Sequence, residues 1–318
     1  MKREYQSNFK DDILLFIGHK VAMGYKESTY RGSLQRFDKM CVESFPEEKE
    51  MTKKILRKWA ERKPSETRND SYNRRMQQIK AFCLFLKSSG KDVNGLEILV
   101  PLRKQSRELV HVFTDEELTK YFQESDKIKP NFRSDFSEFI LPVMLRMIYC
   151  CGLRPKEART IKVNQINFQK KTIHIQESKN GKGRIILMPD DLVSLCRKYD
   201  CLAQRRIPGR TYFFEKANGG FFTKRWLSRV HLNICNKAGI ALQYDKFPPI
   251  YNLRHTFASK VVSRWQCNNE DVMAKLPYLM TYLGHKKLEN TLYYVHVIPT
   301  ALLGSKLLNF EIEEDWDD

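Results

Sequence analysis

The chain has 318 residues, of which 42% are hydrophobic, and it carries a formal net charge of +18 with a pI near 9.5. This length allows two domains, and the apolar content is enough for packed cores, which excludes a largely disordered chain. Six of the last eight residues are acidic, so residues 1–310 carry a net charge of +24. A surface this basic favours a polyanionic partner such as nucleic acid over an ordinary solvated surface.

The cysteine spacing and the hydropathy of the chain argue against several classes of protein. None of the eight cysteines forms a Cys-x-x-Cys pair, the spacing typical of structural zinc, and disulfide frameworks belong mainly to short secreted chains. No signal peptide is found at the start, and no apolar run reaches 18 residues. We therefore expect a cytoplasmic protein with reduced thiols, without a metal site and without a membrane span.

The first hundred residues show helical periodicity. Apolar stripes predict helices within residues 8–44, with a break near Gly24, and then over residues 51–62 and 72–87. Between residues 51 and 90, eleven basic residues stand against three acidic ones, an imbalance that favours DNA contact over a plain solvated face. The candidate DNA-binding residues of this small helical domain are Lys53, Lys54, Arg57, Lys58, Arg74, Arg75 and Lys80.

A basic linker separates this helical domain from the rest of the chain. Helical periodicity fades over residues 91–111, where Pro101 is followed by Arg103, Lys104 and Arg107. Thr114 followed by Glu117 has the pattern of a capping box, so a new helix is expected to begin there. We therefore expect two domains, one over residues 1–107 that includes the linker and one over residues 108–318.

The second domain is predicted to be mainly helical with one β-hairpin. A buried helix is followed by Arg154, which stands just before a proline that suits the first turn of the next helix. The alternating segments 172–176 and 184–188 flank an Asn-Gly turn and predict two antiparallel strands. The fold class expected for the chain is therefore mainly α with a small β-hairpin, that is, α+β. Two lysines lie at the tip of the hairpin, either solvated or able to reach into a DNA groove: Lys179 and Lys182.

The last third of the chain concentrates cationic and hydrogen-bonding side chains. One stretch contains Tyr251 and Arg254, and another runs from His285 to the tyrosine pair of Tyr293 and Tyr294. Preorganised arginine and histidine donors stabilise an anionic phosphate, and a phenol can attack phosphorus to leave a covalent phosphotyrosine. These residue types together indicate chemistry on a phosphodiester.

With these motifs placed, the chain resembles the tyrosine recombinase family, which includes phage integrases and Xer-like enzymes. The resemblance covers nearly the whole length and is strongest from residue 113 to 297. Four motifs match in order: Gly-Leu-Arg at 152–154 followed by Glu157, the Ser-Lys-Asn-Gly-Lys-Gly-Arg hairpin, Leu-Arg-His-Thr-Phe-Ala at 253–258, and Leu-Gly-His at 283–285 with a tyrosine nine residues later. One such motif is weak evidence, whereas four in order are specific.

The resemblance implies a phosphate site made of four residues. Arg154 and Arg254 look like the two arginines that clamp the scissile phosphate, a task that suits a permanently charged, bidentate guanidinium. His285 resembles a donor to the same phosphate, and Glu157 resembles the acidic residue that orients the site.

The resemblance also implies an acid and a nucleophile. Lys179 resembles the general acid that protonates the departing 5′ oxygen, with Lys182 as its nearby competitor. Tyr294, nine residues after His285, matches the nucleophile, and its neighbour Tyr293 is the rival. Adjacent residues of a helix point about 100° apart, so only one of the two tyrosines can face the phosphate.

One position departs from the family pattern. Three residues before Arg254 the family usually has histidine, a candidate general base, and this chain has Tyr251. Because a phenol ionises only near pH 10, it is a poor base at neutral pH but still forms hydrogen bonds. We expect Tyr251 to position the phosphate, and we expect His255 to point elsewhere on the helix.

For the whole protein, the resemblance implies a helical SAM-like core-binding domain and a catalytic domain that hold duplex DNA between them. The reaction would need no metal or nucleotide cofactor, and a homo-tetramer would assemble on two DNA sites in the cytoplasm, at the nucleoid. An apolar segment at residues 301–310 would dock on a neighbouring protomer or on its own core.

Two other functions remain open from the sequence. A type IB topoisomerase uses similar residues, and a catalytically silent DNA-binding protein would keep the same fold. The helical first domain favours a recombinase that serves a mobile element or acts in Xer-like recombination.

Overall fold

The computed structural model describes residues 5–66, 69–102, 110–129, 136–176, 183–240, 247–285 and 287–292. The chain divides into two compact units, Met1–Glu108 and Leu109–Asp318. Each unit has its own apolar core. In the described ranges, no helix is long and apolar enough to cross a membrane.

The first unit is a small helical domain. Its helices are α1 (Lys10–Ala22), α2 (Ser28–Ser44), α3 (Lys53–Ala60) and α4 (Asn69–Ser88), followed by a short 3-10 turn at Leu96–Ile98. Four aromatic residues from the four helices meet at its centre: Phe37 packs on Trp59 at 5.4 Å between ring centroids, and Phe16 packs on Phe82 at 5.5 Å. All four side chains are fully buried, so the predicted apolar stripes do form the core.

The second unit is also mainly helical and contains a small sheet. Its helices are α5 (Asp115–Asp126), α6 (Ser137–Cys150), α7 (Pro155–Thr160), α8 (Asp190–Arg206), α9 (Lys224–Lys237), α10 (Tyr251–Cys267) and α11 (Val272–Leu283). Its strands are β1 (Ile166–Asn167), β2 (Thr172–Ile175) and β3 (Arg184–Leu187). This arrangement confirms the expected fold class.

The sheet is antiparallel with strand order β1-β2-β3. Ile173 pairs with Ile186, and both side chains are fully buried because they point to the core face of the sheet. The sequence indicated the hairpin of β2 and β3 but not β1, since two residues are too short to show alternation.

Helix α6 lies at the centre of the second unit. It packs against α5, α8 and α10, and Ile140, Met144 and Met147 on it are fully buried. Helix α5 begins with the predicted capping box: Thr114 Oγ1 accepts from the Glu117 N–H at 3.1 Å, and Glu117 Oε2 accepts from the Thr114 N–H at 2.9 Å. This packing places the end of α6, the start of α10 and the end of α11 close to the start of α7.

Candidate active site

Three elements of the second unit bring charged and polar side chains to one place. Arg154 and Glu157 come from the start of α7, and Arg254 comes from the first turn of α10. His285 follows α11 directly, because Gly284 adopts a left-handed conformation and the His285 N–H bonds the Met280 carbonyl at 3.0 Å. Three of the four motifs identified in the sequence therefore meet in the structure.

The Glu157 carboxylate lies between two guanidinium groups. Its Oε1 accepts from Arg154 Nη1 at 2.7 Å and from Arg184 Nη1 at 3.0 Å. Its Oε2 accepts from Arg184 Nη2 at 2.7 Å and from the Arg154 backbone N–H at 2.8 Å. Arg254 Nη1 lies 4.0 Å from the same Oε2 atom. The single negative charge of Glu157 therefore neutralises only part of the charge of these three arginines. The remaining positive charge suits an anionic ligand.

The local charges lower the pKa of Glu157 and raise the pKa of Arg154. Burial raises the pKa of Glu157, but the hydrogen bonds and charges of Arg184 and Arg154 outweigh it and hold this pKa below the usual range. Burial lowers the pKa of Arg154, but the Glu157 carboxylate and a hydrogen bond to the Tyr251 side chain outweigh it and raise this pKa. Both groups are therefore charged at neutral pH.

Arg254 is fully buried at the meeting point of two helix ends. Its Nη1 donates to the Gly152 carbonyl at 2.7 Å, just past the end of α6, and its Nη2 donates to the carbonyl of Leu283, the last residue of α11. The carbonyls at a helix C-terminus lack intrahelical donors and carry partial negative charge. They therefore hold the Arg254 guanidinium in place inside the protein.

The hydrogen bonds of His285 define its neutral tautomer. Arg254 Nη2 lies 3.1 Å from His285 Nε2, and because arginine can only donate, Nε2 must be the acceptor. The ring proton is then on Nδ1, which donates to Thr291 Oγ1 at 2.9 Å. Burial, followed by the charges of Arg254 and Arg154, lowers the pKa of His285 to about 3. The imidazole is therefore neutral at neutral pH.

Tyr251 and His255 lie side by side at the start of α10. Their ring centroids are 4.9 Å apart with an interplanar angle of 58°. The expectation that His255 points elsewhere is thus wrong, because residues four apart on a helix share a face. The Arg254 guanidinium carbon lies 5.9 Å from the centroid of the Tyr251 ring. Both rings consequently lie beside the phosphate-binding candidates.

Two of these residues were not singled out in the sequence. Arg184 opens β3, where burial alternates, and its side chain is only 7% exposed. An arginine at an inward strand position was a signal that the sequence did contain. Thr291, which is fully buried against His285, had no comparable signal, because a threonine six residues after a histidine is an ordinary occurrence.

Several predicted residues lie outside the described ranges. They are the hairpin lysines Lys179 and Lys182, the tyrosine pair Tyr293 and Tyr294, and the apolar segment at residues 301–310. The chain is described up to Leu292, and residues 289–292 are helical. The roles of these residues stay predictions.

The DNA-binding candidates of the first unit differ in exposure. Six of them are exposed on α3 and α4: Lys53, Lys54, Arg57, Lys58, Arg74 and Lys80. Arg75 is the exception, and its predicted DNA contact is wrong, because its side chain is only 3% exposed. It donates to both oxygens of Glu66 at 2.6 and 2.8 Å and packs its guanidinium over Trp59. Arg75 therefore ties α4 to the loop after α3.

Comparison with known proteins identifies the family to which this chain belongs. The model of the phage integrase family matches residues 112–300, which is more than half of the chain. The protein therefore belongs to this family, whose members are site-specific tyrosine recombinases that cleave and rejoin DNA strands. The recombinase function and the enzyme class expected from the sequence are confirmed at this level.

Individual relatives cover most of the chain. The putative integrase/recombinase y4rB of Sinorhizobium fredii is 22% identical over 98% of this chain and 99% of its own length. Tyrosine recombinase XerC of Oceanobacillus iheyensis is 26% identical over 71% of this chain and 70% of its own length.

Solved structures show the same fold at low identity. The XerH recombinase bound to its palindromic difH substrate has a TM-score of 0.65 at 18% identity and covers 87% of this chain and 77% of that chain. A lambda integrase dimer bound to a COC′ core site has a TM-score of 0.63 at 14% identity and covers 95% of this chain and 99% of that chain.

Proposed function

We propose that this protein recombines duplex DNA at specific sites through a 3′-phosphotyrosine intermediate, with Tyr294 as the nucleophile. The observation that carries the proposal is the convergence of Arg154 and Arg254 on the carboxylate of Glu157, with His285 hydrogen-bonded to Arg254. A surplus of fixed positive charge in a partly buried pocket stabilises the pentavalent phosphate of strand transfer.

The two arginines differ in how they reach the phosphate. The Arg154 side chain is 30% exposed, so it binds a non-bridging oxygen directly. Arg254 is fully buried, so a phosphate oxygen must replace the Leu283 carbonyl or the His285 ring as its acceptor. Arg254 thus joins the phosphate only when DNA is bound, and until then the carbonyls keep it in position.

His285 changes its role when the phosphate arrives. In the structure its Nε2 accepts from Arg254 and cannot donate. A phosphate beside it adds negative charge, which raises the pKa of a neighbouring imidazole and favours a proton on Nε2. The protonated ring then donates to the phosphate, as the resemblance implies.

The covalent step uses the two groups outside the described ranges. The Tyr294 oxygen bonds to phosphorus and gives its proton to solvent water, and the bond between phosphorus and the 5′ oxygen breaks. Lys179 gives a proton to that oxygen, with Lys182 as the alternative acid, so the products are a 3′-phosphotyrosine and a 5′ hydroxyl. The intermediate keeps the energy of the broken bond, so rejoining calls for no nucleotide.

The DNA partner is supported by the charge and by the exposed basic residues. The six exposed candidates on α3 and α4 and the net charge of +24 over residues 1–310 suit a phosphate backbone. The XerH and lambda integrase structures were determined with DNA bound. We place the protein at the nucleoid in the cytoplasm, where it would act for a mobile element or in Xer-like recombination.

Assembly into a homo-tetramer on two DNA sites completes the proposal. An exposed apolar surface on and just after α1 supports contacts between protomers: Leu14, Leu15, Val21 and Met23 are 48% to 64% exposed. The apolar segment at residues 301–310 would dock on a neighbouring protomer, with docking on its own core as the alternative.

The test is cleavage of nicked suicide duplexes taken from the DNA that flanks the gene. Wild type, Tyr293→Phe and Tyr294→Phe are compared on a denaturing gel. We expect a covalent protein–DNA band that is lost only in Tyr294→Phe. Tight DNA binding without any band would favour the catalytically silent protein, and relaxation of supercoils by a monomer would favour the topoisomerase.

A further inference from the structure

Tyr251 and His255 form a pair of rings at the first turn of α10. They are one helical turn apart, so their side chains share a face, and their centroids are 4.9 Å apart at 58°. Tilted contacts of this kind are preferred between aromatic rings. The contact places His255 against the one residue at which this chain departs from the family pattern.

Two arginines interact with the Tyr251 side chain. The interaction with Tyr251 helps to raise the pKa of Arg154. Arg254 lies with its Cζ atom 5.9 Å from the Tyr251 ring centroid. The Tyr251 ring therefore contacts both the His255 ring and the guanidinium of Arg254.

His255 packs against Tyr251 as a neutral ring. It is half-buried, and burial together with the charge of Arg254 lowers the pKa of His255 to about 4. The charged and titratable groups around it are Tyr251 and Arg254 on α10 and His285 after α11. A neutral imidazole adds no further positive charge to a pocket that already holds three guanidinium groups.

We infer that His255 is a positioning residue for strand cleavage, which acts by holding the Tyr251 phenol beside Arg254 at the scissile phosphate. This inference rests on the proposed function. The pair of Tyr251 and His255 takes the place of the single histidine that the family usually has at residue 251. Its ligand is the same DNA phosphate.

The first experiment measures single-turnover cleavage of a nicked suicide duplex at saturating protein. His255→Ala removes the ring that supports Tyr251, so we expect cleavage to be about tenfold slower while the Kd for DNA stays unchanged. His255→Phe keeps a ring in the same place and should cleave within about threefold of wild type. Equal losses in both variants would overturn the role of the ring contact.

The second experiment asks whether His255 acts through Tyr251. Without the Tyr251 hydroxyl there is nothing left to position, so His255→Ala should cost less than about twofold in a Tyr251→Phe background. A merely structural role would give the same tenfold loss in both backgrounds and would overturn the inference. Melting temperatures of all variants separate lost folding from lost positioning.

The controls distinguish this inference from the proposed function. His19 is an exposed histidine in ring contact with Phe85 at 5.4 Å in the other unit, and His19→Ala should cleave like wild type. If wild type forms no adduct, the proposed function fails and the inference fails with it. If wild type and His255→Ala cleave equally well, only the inference about His255 is overturned.

Discussion

The charge balance of the site depends on the carboxylate of Glu157. It pairs with Arg154 and Arg184 and lies 4.0 Å from Arg254. Without it, three guanidinium groups would repel one another in a partly buried pocket. Arg184 shares in this task, since it also donates from Nε to the Tyr282 carbonyl at 2.8 Å and so ties β3 to α11.

Replacing Glu157 with Gln should therefore lower both stability and cleavage. Breaking a buried ion pair from one side costs about 3 kcal/mol, which urea denaturation at pH 7 would measure. Because the folded pKa of Glu157 is lowered, its contribution is complete above the ordinary glutamate pKa of about 4.3 and disappears as the pH falls through the lower folded value. The difference between wild type and variant should shrink accordingly in acid.

The matched control for this variant is Glu116→Gln. Glu116 pairs with Lys120 on the exposed surface of α5, and such pairs contribute little. Equal destabilisation by the two substitutions would contradict the central role of Glu157.

Thr291 orients His285 and offers a second test at the scale of single residues. Thr291→Val removes the acceptor of the His285 Nδ1 proton while keeping the shape of the side chain. The ring then loses the bond that fixes its Nδ1 side, so we expect single-turnover cleavage to fall about tenfold with DNA affinity unchanged. Thr291→Ser keeps the hydroxyl and should retain activity; a serine variant as slow as the valine variant would contradict the assigned hydrogen bond.

Helix ends build the site at the scale of secondary structure. The carbonyls of Gly152, Leu283 and Gly284, just beyond or at the ends of α6 and α11, accept from the two candidate phosphate-binding arginines. The arginines therefore donate hydrogen bonds to backbone carbonyls that have no donor within their own helix. Their positions depend on where the helices stop.

Gly152 is the point at which α6 must stop. Its φ is +56°, and a Cβ atom there would lie 2.5 Å from Phe257 Cδ1. Gly152→Ala should destabilise the protein by about 3 kcal/mol, since left-handed strain adds to overpacking, and it should displace the carbonyl that holds Arg254. Thermal unfolding and cleavage would both report the change.

Gly90 provides the comparison for this prediction. It also has a positive φ, +79°, but nothing lies within 4 Å of an added Cβ. Gly90→Ala should therefore cost only the conformational strain, about 1 kcal/mol. If both substitutions cost the same, crowding by Phe257 does not matter.

At the scale of the whole molecule, buried neutral histidines make stability depend on pH. His231 is 1% exposed between the Tyr121 hydroxyl at 2.7 Å and the Pro248 carbonyl at 2.7 Å. Burial outweighs the bond to Pro248 and lowers the pKa of His231 to about 4. His255 and His285 are lowered as well.

The sign of this effect follows from proton uptake. The unfolded chain binds protons at these three histidines below about pH 6.5, whereas the folded protein does not bind them there until a much lower pH, so stability falls as the pH drops from 6.5. For His231 alone we expect a loss of about 2 kcal/mol between pH 6.5 and 5. Urea midpoints at pH 7, 6 and 5 measure it, and His231→Gln should flatten the curve; a midpoint that does not change with pH would contradict the prediction.

The sequence by itself determined the fold class and most of the site. Helical and strand periodicity depend only on neighbouring residues, and the capping box at Thr114 is equally local. The Arg154, Arg254 and His285 motifs could be located because they match, in order, the motifs of the tyrosine recombinase family. The spacing of four between Tyr251 and His255 was also available in the sequence and would have predicted their contact.

Only the tertiary structure decided which charges face the site and which are used in packing. Arg75 and Arg184 sit among other basic or alternating residues, and whether either is buried depends on partners far away in the chain, such as Tyr282 for Arg184. The same holds for the burial of Arg254, because its acceptors at Gly152 and Leu283 are 102 and 29 residues away. A local sequence pattern does not show which distant residues will pack against a side chain. The burial of that side chain depends on those distant residues.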